Sequence, residues 1–404
     1  MRLTPMTAIL LATAAAPAAL AQSLNGLWDA TVQVNGLDIP FRMEFANQGS
    51  SASGTFFNGE ERLSSTGGRF ENGALTLAFD YYAAKLETSL QDGVLRGTYT
   101  RAGRPYPFQA KRFAPSPLTE ADVPAIAGLW EVAVQSSKGE SAWRFIVRQS
   151  GPEVTAAILR VDGDTGTLAG TFRDGRFVLS HFSGARPLLL EVTPQRDGTL
   201  KVVQNGKEEM TAVRSADARA KGLPQPTDPT RHTSVKDPTE PLRFSAPDLD
   251  GRIVSNTDPR FQNKVVIVAI GGSWCPNCHD EAPFLVQLYR KYHSRGLEIV
   301  ALSFEEAEQL NNPTRLRAFI KRYGIEYPVL LAGQQSDLSD KLPQAVNLNA
   351  WPTTFFLGRD GRVRSVHAGF AGAASGEFHQ RLKEEVNGLV ERLLAENTVT
   401  KAKQ

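Results

Sequence analysis

Cysteine is scarce in this sequence. The chain has 404 residues and two cysteines. Two cysteines are too few for a disulfide-stapled scaffold, and they exclude a zinc or iron–sulfur site held by cysteines alone. One bridge, one reactive pair or two inert thiols remain as interpretations.

An excess of charge is lacking as well. Lys plus Arg is 45 and Asp plus Glu is 43, so the net charge is +2. A protein that binds nucleic acid usually carries a basic excess, so no nucleic-acid partner is expected. With 41% hydrophobic and 22% charged residues the chain has a globular composition, and its length allows two to four domains of about 100–200 residues.

Long apolar runs are missing beyond the N-terminus. The apolar stretch at 8–20 is too short to span about 30 Å of hydrocarbon comfortably, and no later run reaches the 18 residues of a membrane helix. Arg2 precedes this stretch, and Ala19-Leu20-Ala21 has the small-x-small pattern of a cleavage site. These features predict a signal peptide at 1–21 and a soluble bacterial protein of the periplasm, where thiols can form disulfides. No cysteine follows the stretch, which excludes lipid attachment at a new N-terminal cysteine.

The sequence repeats itself at an offset of 102 residues. Gly26-Leu27-Trp28 recurs as Gly128-Leu129-Trp130, and the ending at 109–112 is matched at 211–214. Both copies alternate short apolar patterns with Asn-Gly or Asp-Gly turns, which is typical of antiparallel strands joined by tight hairpins. We predict two all-β, meander or barrel-like repeats of about eight strands each, at 22–114 and 124–214. Trp28, Trp130 and Trp143 are interpreted as core residues.

The composition changes twice after the repeats. Five prolines between positions 215 and 241 disfavour helix and central strand, so residues 215–240 are predicted to form an extended, semi-rigid linker. Beyond it, strand and helix patterns alternate, beginning with the almost continuously apolar run at 264–270 that is typical of a buried parallel strand. We therefore expect an α/β domain at 241–397, followed by a tail at 398–404.

Both cysteines lie at one place, in the sequence Trp274-Cys275-Pro276-Asn277-Cys278. This box joins the buried strand to an amphipathic helix, whose positive end would stabilise a thiolate on Cys275. Cys275, at the exposed turn, is the predicted nucleophile, and Cys278 would resolve the mixed disulfide. A bridge closing so short a loop is a poor structural staple. A zinc site would need ligands beyond the adjacent His279, so no metal is expected.

These residues resemble the TlpA/ResA-type periplasmic disulfide reductases, which have the thioredoxin-like fold. The resemblance covers 241–397, through the cysteine box, Glu281-Ala282-Pro283 and Trp351-Pro352. It implies that Pro352 is cis and packs beside the cysteines. It also implies that the residue before it, Trp351, binds the substrate backbone, and we place Trp274 with these two residues in the substrate site.

Glu281 has two interpretations. The resemblance implies that it assists proton transfer at the cysteines, and a buried carboxylate with a raised pKa could do this near neutral pH. Alternatively it is an ordinary acid in the first turn of a helix. Three departures from the family pattern, at Pro276-Asn277, Trp351 and Gly271-Gly272, leave reduction and oxidation both open.

The leading hypothesis is a thiol–disulfide oxidoreductase that needs no cofactor. Its partners would be client disulfides, for instance those of apocytochrome c, and an upstream thiol donor in the membrane. One alternative is a peroxiredoxin, but Val268 and Gly272 stand where the peroxidatic motif Pro-x-x-x-Thr-x-x-Cys requires Pro and Thr. Another is a ligand- or client-binding β protein with an accessory redox domain, or repeats that serve as spacers.

Overall fold

The computed structural model describes residues 23–115 and 123–396. The predicted signal peptide at 1–21 and the predicted tail at 398–404 lie outside the described residues. Within the described ranges, every helix is too short or too polar to cross a membrane.

The first β repeat is an antiparallel sheet, formed in the described residues by nine strands that place every second side chain in one core. Its strands are β1 (Gly26–Val34), β2 (Leu37–Gln48), β3 (Ser51–Asn58), β4 (Glu61–Ser64), β5 (Gly67–Glu71), β6 (Ala74–Phe79), β7 (Ala84–Gln91), β8 (Val94–Arg101) and β9 (Arg104–Arg112). Pairing of β1 with β9 and of β2 with β3 closes the sheet into a barrel, and β4 is appended to β3.

The second repeat has the same topology. Its nine described strands are β10 (Gly128–Ala133), β11 (Ala142–Ser150), β12 (Glu153–Arg160), β13 (Gly163–Asp164), β14 (Leu168–Arg173), β15 (Arg176–His181), β16 (Leu188–Pro194), β17 (Leu200–Gln204) and β18 (Glu208–Arg214). Pairing of β10 with β18 and of β11 with β12 closes this sheet, and β13 is appended to β12. Each repeat is therefore barrel-like, with one short strand more than the eight expected.

The repeated tryptophans belong to the barrel cores. Trp28 and Trp130 are buried, and each indole N–H donates to the carbonyl four residues earlier at 2.9 Å. Arg112 stacks on the first ring at 4.5 Å and Arg214 on the second at 3.8 Å. Trp143 is half-buried under an arginine side chain, so it lies at the edge of its core.

The two barrels are packed against each other. Phe182, in the connection from β15 to β16, enters the first barrel and lies 4.8 Å from Phe41 and 5.5 Å from Phe56 between ring centroids. Asn58 and Phe182 also exchange two hydrogen bonds of 3.3 and 3.2 Å. The barrels thus form one unit, which we call the barrel pair (the described residues between 23 and 214).

The segment predicted as an extended linker is only partly extended. It contains two single-turn helices, α1 (Ser215–Ala218) and α2 (Pro229–His232), and the short strand β19 (Ser234–Val235). His232 lies 2.6 Å from the Asn349 side chain, and Thr233 donates to the carbonyl of Asn347 at 3.0 Å. The second half of the segment is therefore bound to the C-terminal region through His232 and Thr233. The spacing of the prolines does not predict these contacts.

The C-terminal region has the thioredoxin-like arrangement of a central sheet between helices. Its helices are α3 (Pro276–Tyr292), α4 (Ala307–Asn311), α5 (Thr314–Tyr323), α6 (Leu338–Lys341) and α7 (Glu377–Ala395). Its strands are β20 (Ser245–Pro247), β21 (Ile253–Ser255), β22 (Val265–Gly271), β23 (Leu297–Phe304), β24 (Val329–Gly333), β25 (Ala345–Val346), β26 (Thr353–Leu357) and β27 (Val363–Ala368).

The central sheet has the strand order β24-β23-β22-β26-β27, with β22, β23 and β24 parallel and β26 and β27 antiparallel to their neighbours. Strand β22 is continuously apolar because it is buried on both faces. Val265, Ile267 and Ala269 face the cluster that includes α3 and α7, whereas the residues between them face the opposite cluster. This strand ends at the cysteine box.

Candidate active site

Cys275 is the residue that caps α3, and Cys278 lies in the first turn of that helix. The sulfur of Cys275 accepts a hydrogen bond from the backbone N–H of Cys278 at 3.3 Å. Pro276 occupies the first helical position, where a missing N–H leaves no hydrogen bond unmade. Both cysteines are free thiols. The two cysteines therefore belong to one helical turn, and the sulfur of Cys275 lies at its amide end.

The predicted exposure of Cys275 is wrong. Cys275 is 3% exposed and Cys278 is 6% exposed. Their neighbours in the box carry contacts from the barrel pair: Arg101 donates to the carbonyl of Trp274 at 3.2 Å, and Asn277 donates to the carbonyl of Asp162 at 2.6 Å. A helix start at the end of a strand is open to solvent in the α/β region alone, whereas here a distant part of the chain covers this turn.

The thiol of Cys278 is strongly biased towards its protonated form. Burial raises its pKa well above the ordinary value, and the nearby Cys275 and Glu281 raise it further. The backbone at Gly271 leaves room for this thiol, because a Cβ there would lie 3.0 Å from the sulfur of Cys278. The departure from the family pattern at Gly271 therefore has a steric reason in this chain.

Glu281 lies one turn further along α3 and is buried. Burial raises its pKa to about 7, although the hydroxyl of Thr354 donates to its Oε1 at 2.7 Å and partly opposes that rise. Glu281 and Cys278 line the same cavity of about 40 Å³, together with Gly272 and Tyr327. That volume exceeds the roughly 10–15 Å³ that one water requires, so the cavity is large enough to hold a water beside the two side chains.

A buried ion pair holds the strand-to-helix loop in place. Glu305, which follows β23, accepts hydrogen bonds from the N–H and the hydroxyl of Ser273, both at 2.7 Å. Arg315 of α5 donates to the same carboxylate and to the Ser273 hydroxyl, both at 2.8 Å. Trp274 adds a bond of 2.7 Å from its indole N–H to the carbonyl of Phe304. The loop that carries Cys275 is thus fixed from two neighbouring elements.

Several of these supporting residues carry little signal in the sequence. Glu305 and Arg315 do not belong to any recognisable sequence motif. They differ from surface charges in being buried, which is known from the structure alone. Thr354 lies two residues after Pro352 in the buried strand β26. A polar residue in such a strand is the one signal in the sequence that could have indicated its hydrogen bond to Glu281.

His279 has a structural role in the helix start rather than an acid–base role. Burial lowers the pKa of this imidazole to about 3, so the ring is neutral at physiological pH. Its Nε2 donates to the carbonyl of Ser273 at 2.9 Å, and its Nδ1 accepts from the hydroxyl of Tyr323 at 3.0 Å. Both ring nitrogens are occupied, which leaves none for a metal ion.

The peptide bond between Trp351 and Pro352 is cis, in agreement with the expectation from the family resemblance. The ring of Trp351 lies 5.4 Å from that of Trp274 in an edge-to-face arrangement. Both tryptophans are half-buried, and Pro352 is buried. The structure therefore places Trp351, and with it Pro352, next to Trp274 of the cysteine box.

A free dithiol at the start of a helix, next to the central sheet and a buried carboxylate, defines a thiol–disulfide oxidoreductase of the thioredoxin-like fold. Comparison with known proteins agrees: residues 239–366 match the AhpC/TSA family. The thiol-disulfide oxidoreductase ResA of Geobacillus thermodenitrificans is 30% identical over 140 residues, which are 35% of this chain and 74% of that protein. ResA of Bacillus cereus is 27% identical over 154 residues, 38% of this chain and 76% of its own length.

Among solved structures, a thiol:disulfide interchange protein of the thioredoxin family from Chlorobium tepidum is 26% identical. It covers 40% of this chain and 100% of its own, with a TM-score of 0.30. Through its C-terminal part, the chain belongs to the ResA family of thiol-disulfide oxidoreductases. The barrel pair lies outside the residues that match the AhpC/TSA family.

Proposed function

We propose that this protein reduces disulfides of exported client proteins in the periplasm by cycling Cys275 and Cys278 between dithiol and disulfide. The observation that carries the proposal is the shared helical turn, in which the sulfur of Cys275 accepts from the N–H of Cys278 at 3.3 Å. Amides at a helix start stabilise the thiolate that acts as nucleophile.

Each cycle transfers two electrons to the client. The Cys275 thiolate attacks one sulfur of the client disulfide, forms a mixed disulfide and releases the other client sulfur as a thiolate. Cys278 then loses its proton and attacks the sulfur of Cys275, which forms the internal disulfide and releases the second client thiolate. Protons taken up by the two client thiolates complete the reduction. An upstream thiol carrier of the membrane would return the pair to the dithiol.

Glu281 is the group proposed to take the proton from Cys278. Because burial raises the pKa of Cys278, the resolving step needs a base close to that thiol. Glu281 lines the same cavity, and its pKa of about 7 makes it able to accept and return a proton at neutral pH. Trp351, Pro352 and Trp274 would hold the client backbone beside the cysteines.

A reductase assay with insulin tests this proposal. Full-length protein should accelerate insulin reduction by dithiothreitol, and Cys275→Ser should abolish the acceleration. Cys278→Ser should retain the first step and trap clients as mixed disulfides on Cys275. Full activity of Cys275→Ser would overturn the proposal, and Cys275-dependent consumption of peroxide without insulin reduction would favour the peroxidase alternative.

A further inference from the structure

The redox pair is closed to solvent by another part of the same chain. With Cys275 3% exposed and Cys278 6% exposed, neither sulfur presents a face to a disulfide of another molecule. Exchange requires the attacking sulfur to reach its target directly. The covering residues must therefore move before Cys275 can react.

A turn of the second barrel occupies the surface beside the cis-proline. Val161 is buried and packs against Ala350, which precedes Trp351, and Ala368, which ends β27 opposite Thr353. The carbonyl of Asp162, next in the chain, accepts from Asn277 at 2.6 Å and from the N–H of Phe370 at 3.4 Å. Residues 161–164, which we call the covering turn, thus contact both the cysteine box, through Asn277, and the segments around Trp351–Pro352 and after β27.

The covering turn also approaches too closely for a side chain to be added. Gly163 forms an isolated parallel β-bridge with Phe370. A Cβ on Gly163 would lie 2.3 Å from the carbonyl oxygen of Phe370 and 3.0 Å from the Asn277 side chain. Its φ of +119° is a conformation that residues with side chains rarely adopt. The fit of backbone on backbone resembles the way an extended peptide adds to a strand.

The first barrel covers the other side of the helix start. Arg101 at the end of β8 donates to the carbonyl of Trp274 at 3.2 Å. Tyr82, in the connection from β6 to β7, lies 4.8 Å from the His279 ring, and Arg322 of α5 stacks 4.1 Å above Tyr81. Both barrels therefore contribute to the closure.

A buried charged cluster fastens the barrel pair to α3. Arg186 donates to Asp280 at 2.6 Å and also to Asn277. Asp164 accepts from the N–H of Ser375 at 3.1 Å, and the carboxylate of Glu61 faces the same cluster from the first barrel. The Arg186 and Asp280 side chains are 13% and 29% exposed, and they pair across the boundary between the barrel pair and α3.

The apolar cores stop at this interface. Among the described residues, the large clusters lie within the barrel pair or within the α/β region, and the cluster that crosses the boundary contains Val161, Ala350 and Ala368. The remaining contacts named above are hydrogen bonds, ion pairs and aromatic edges. Interfaces of this polar kind between domains permit relative movement.

We propose that the barrel pair is a lid that closes the redox pair, with the covering turn seated where a client backbone binds. A disulfide of another protein reaches Cys275 after the lid has moved, and a client that binds beside Pro352 displaces the covering turn. Displacement of the covering turn by a client rests on the proposed function, whereas the closure of the thiols can be measured without a client.

Site-specific alkylation of the reduced full-length protein tests the lid. Iodoacetamide is added to native protein and the modification of Cys275 is followed by peptide mass spectrometry, with protein in urea as the fully accessible reference. Gly163→Ala places a methyl group against Phe370, and the matched control Gly175→Ala has the same kind of positive φ but nothing within 4 Å of the added methyl.

We expect slow alkylation of Cys275 in the wild-type protein and in Gly175→Ala, and an increase of about fivefold or more in Gly163→Ala, since opening equilibria respond exponentially to small losses of contact energy. Val161→Ala, which trims the apolar contact, is the second variant if Gly163→Ala fails to fold. Native wild-type Cys275 reacting as fast as in urea, or equal rates in wild type and both lid variants, would overturn the proposal. Failure to reduce insulin would instead bear on the proposed function.

Discussion

The hydroxyl of Thr354 donates a hydrogen bond of 2.7 Å to Glu281, and this bond joins the strand after the cis-proline to the helix of the two cysteines. Two effects on the carboxylate oppose each other there. Burial raises the pKa of Glu281 to about 7, whereas the donated hydrogen bond favours the ionised form and holds the pKa below what burial alone would give.

Removing that hydroxyl should shift the pH profile of the redox reaction upwards. Thr354→Val takes away the donor, so the pKa of Glu281 rises above about 7 and insulin reduction at neutral pH falls. The rate is measured against pH. Thr354→Ser, which keeps the hydroxyl, is the matched control and should retain the wild-type midpoint. Glu281→Gln should lose this midpoint altogether, with a fall in rate of about 10²-fold or more. An unchanged midpoint in Thr354→Val would show that Glu281 does not limit the reaction.

The same carboxylate should make folding stability depend on pH in an unusual direction. Since the pKa of Glu281 is raised from 4.5 to about 7, its contribution to stability is present below pH 4.5 and is lost as the pH rises through 7. The glutamine in Glu281→Gln stays neutral at every pH. The free energy of unfolding of this variant should therefore rise relative to that of the wild type by about 3 kcal/mol between pH 4.5 and 8, as measured by urea unfolding. The matched substitution Glu385→Gln, on the exposed face of α7, should leave the profile near pH 7 unchanged. A stability difference between Glu281→Gln and wild type that is independent of pH would contradict this account.

Breaking the buried ion pair under the cysteine loop should cost much more than breaking a surface pair. Arg315→Met leaves the Glu305 carboxylate buried without its cation, and should lower the free energy of unfolding by about 3–5 kcal/mol. Arg290→Met removes a pair with Glu326 that is more than half exposed, and should cost about 1 kcal/mol or less. Urea unfolding of both variants is the measurement. Similar losses in the two would mean that Arg315 does not stabilise the loop.

Closure of the lid should weaken as the pH rises. Burial and Asp280 raise the pKa of Glu61 to about 7 against the opposing charge of Arg186, and Asp164 is raised in the same way to about 6. Opening returns both carboxyls towards their ordinary values, so the closed state holds more protons and is favoured at low pH.

Glu61→Gln should therefore flatten the response of the lid to pH. The ratio of Cys275 alkylation rates, wild type over Glu61→Gln, should rise between pH 5 and 8, because ionisation of the attacking thiol is common to both proteins and cancels. Glu60→Gln alters an exposed neighbour and should leave the ratio flat. If the ratio of wild type to Glu61→Gln is also independent of pH, the charged cluster does not control opening of the lid.

Local patterns in the sequence predicted most elements of the C-terminal region. The helix from Pro276 to Tyr292, the buried strand before it and the closing helix all follow from apolar periodicity and helix-start residues. The repeat at 102 residues likewise gave two equivalent β units, because identical turn and core positions impose the same topology twice.

Contacts between distant segments could not be predicted in this way. The burial of Cys275 depends on Asp162 and Arg101, which stand at unremarkable turn and strand-end positions of the barrels. Arg186 is a single charge in a connection between strands, and nothing in the sequence indicates that Asp280 will be opposite to it. Periodicity shows which face an element buries, but it carries no information on which remote segment covers that face.

The connection after the sixth strand of the first barrel, Asp80–Tyr82, and the residues at 182–186 of the second barrel occupy the same place in two copies of one topology. The first turns its tyrosines towards His279, whereas the second inserts Phe182 among the phenylalanines of its sister barrel. Both loops thus reach the start of α3, the first through its tyrosines and the second through Arg186, and the second also enters the core of the other barrel. Equivalent positions in the two barrels therefore serve different contacts: Tyr82 meets the helix of the cysteines, whereas Phe182 joins one barrel to the other.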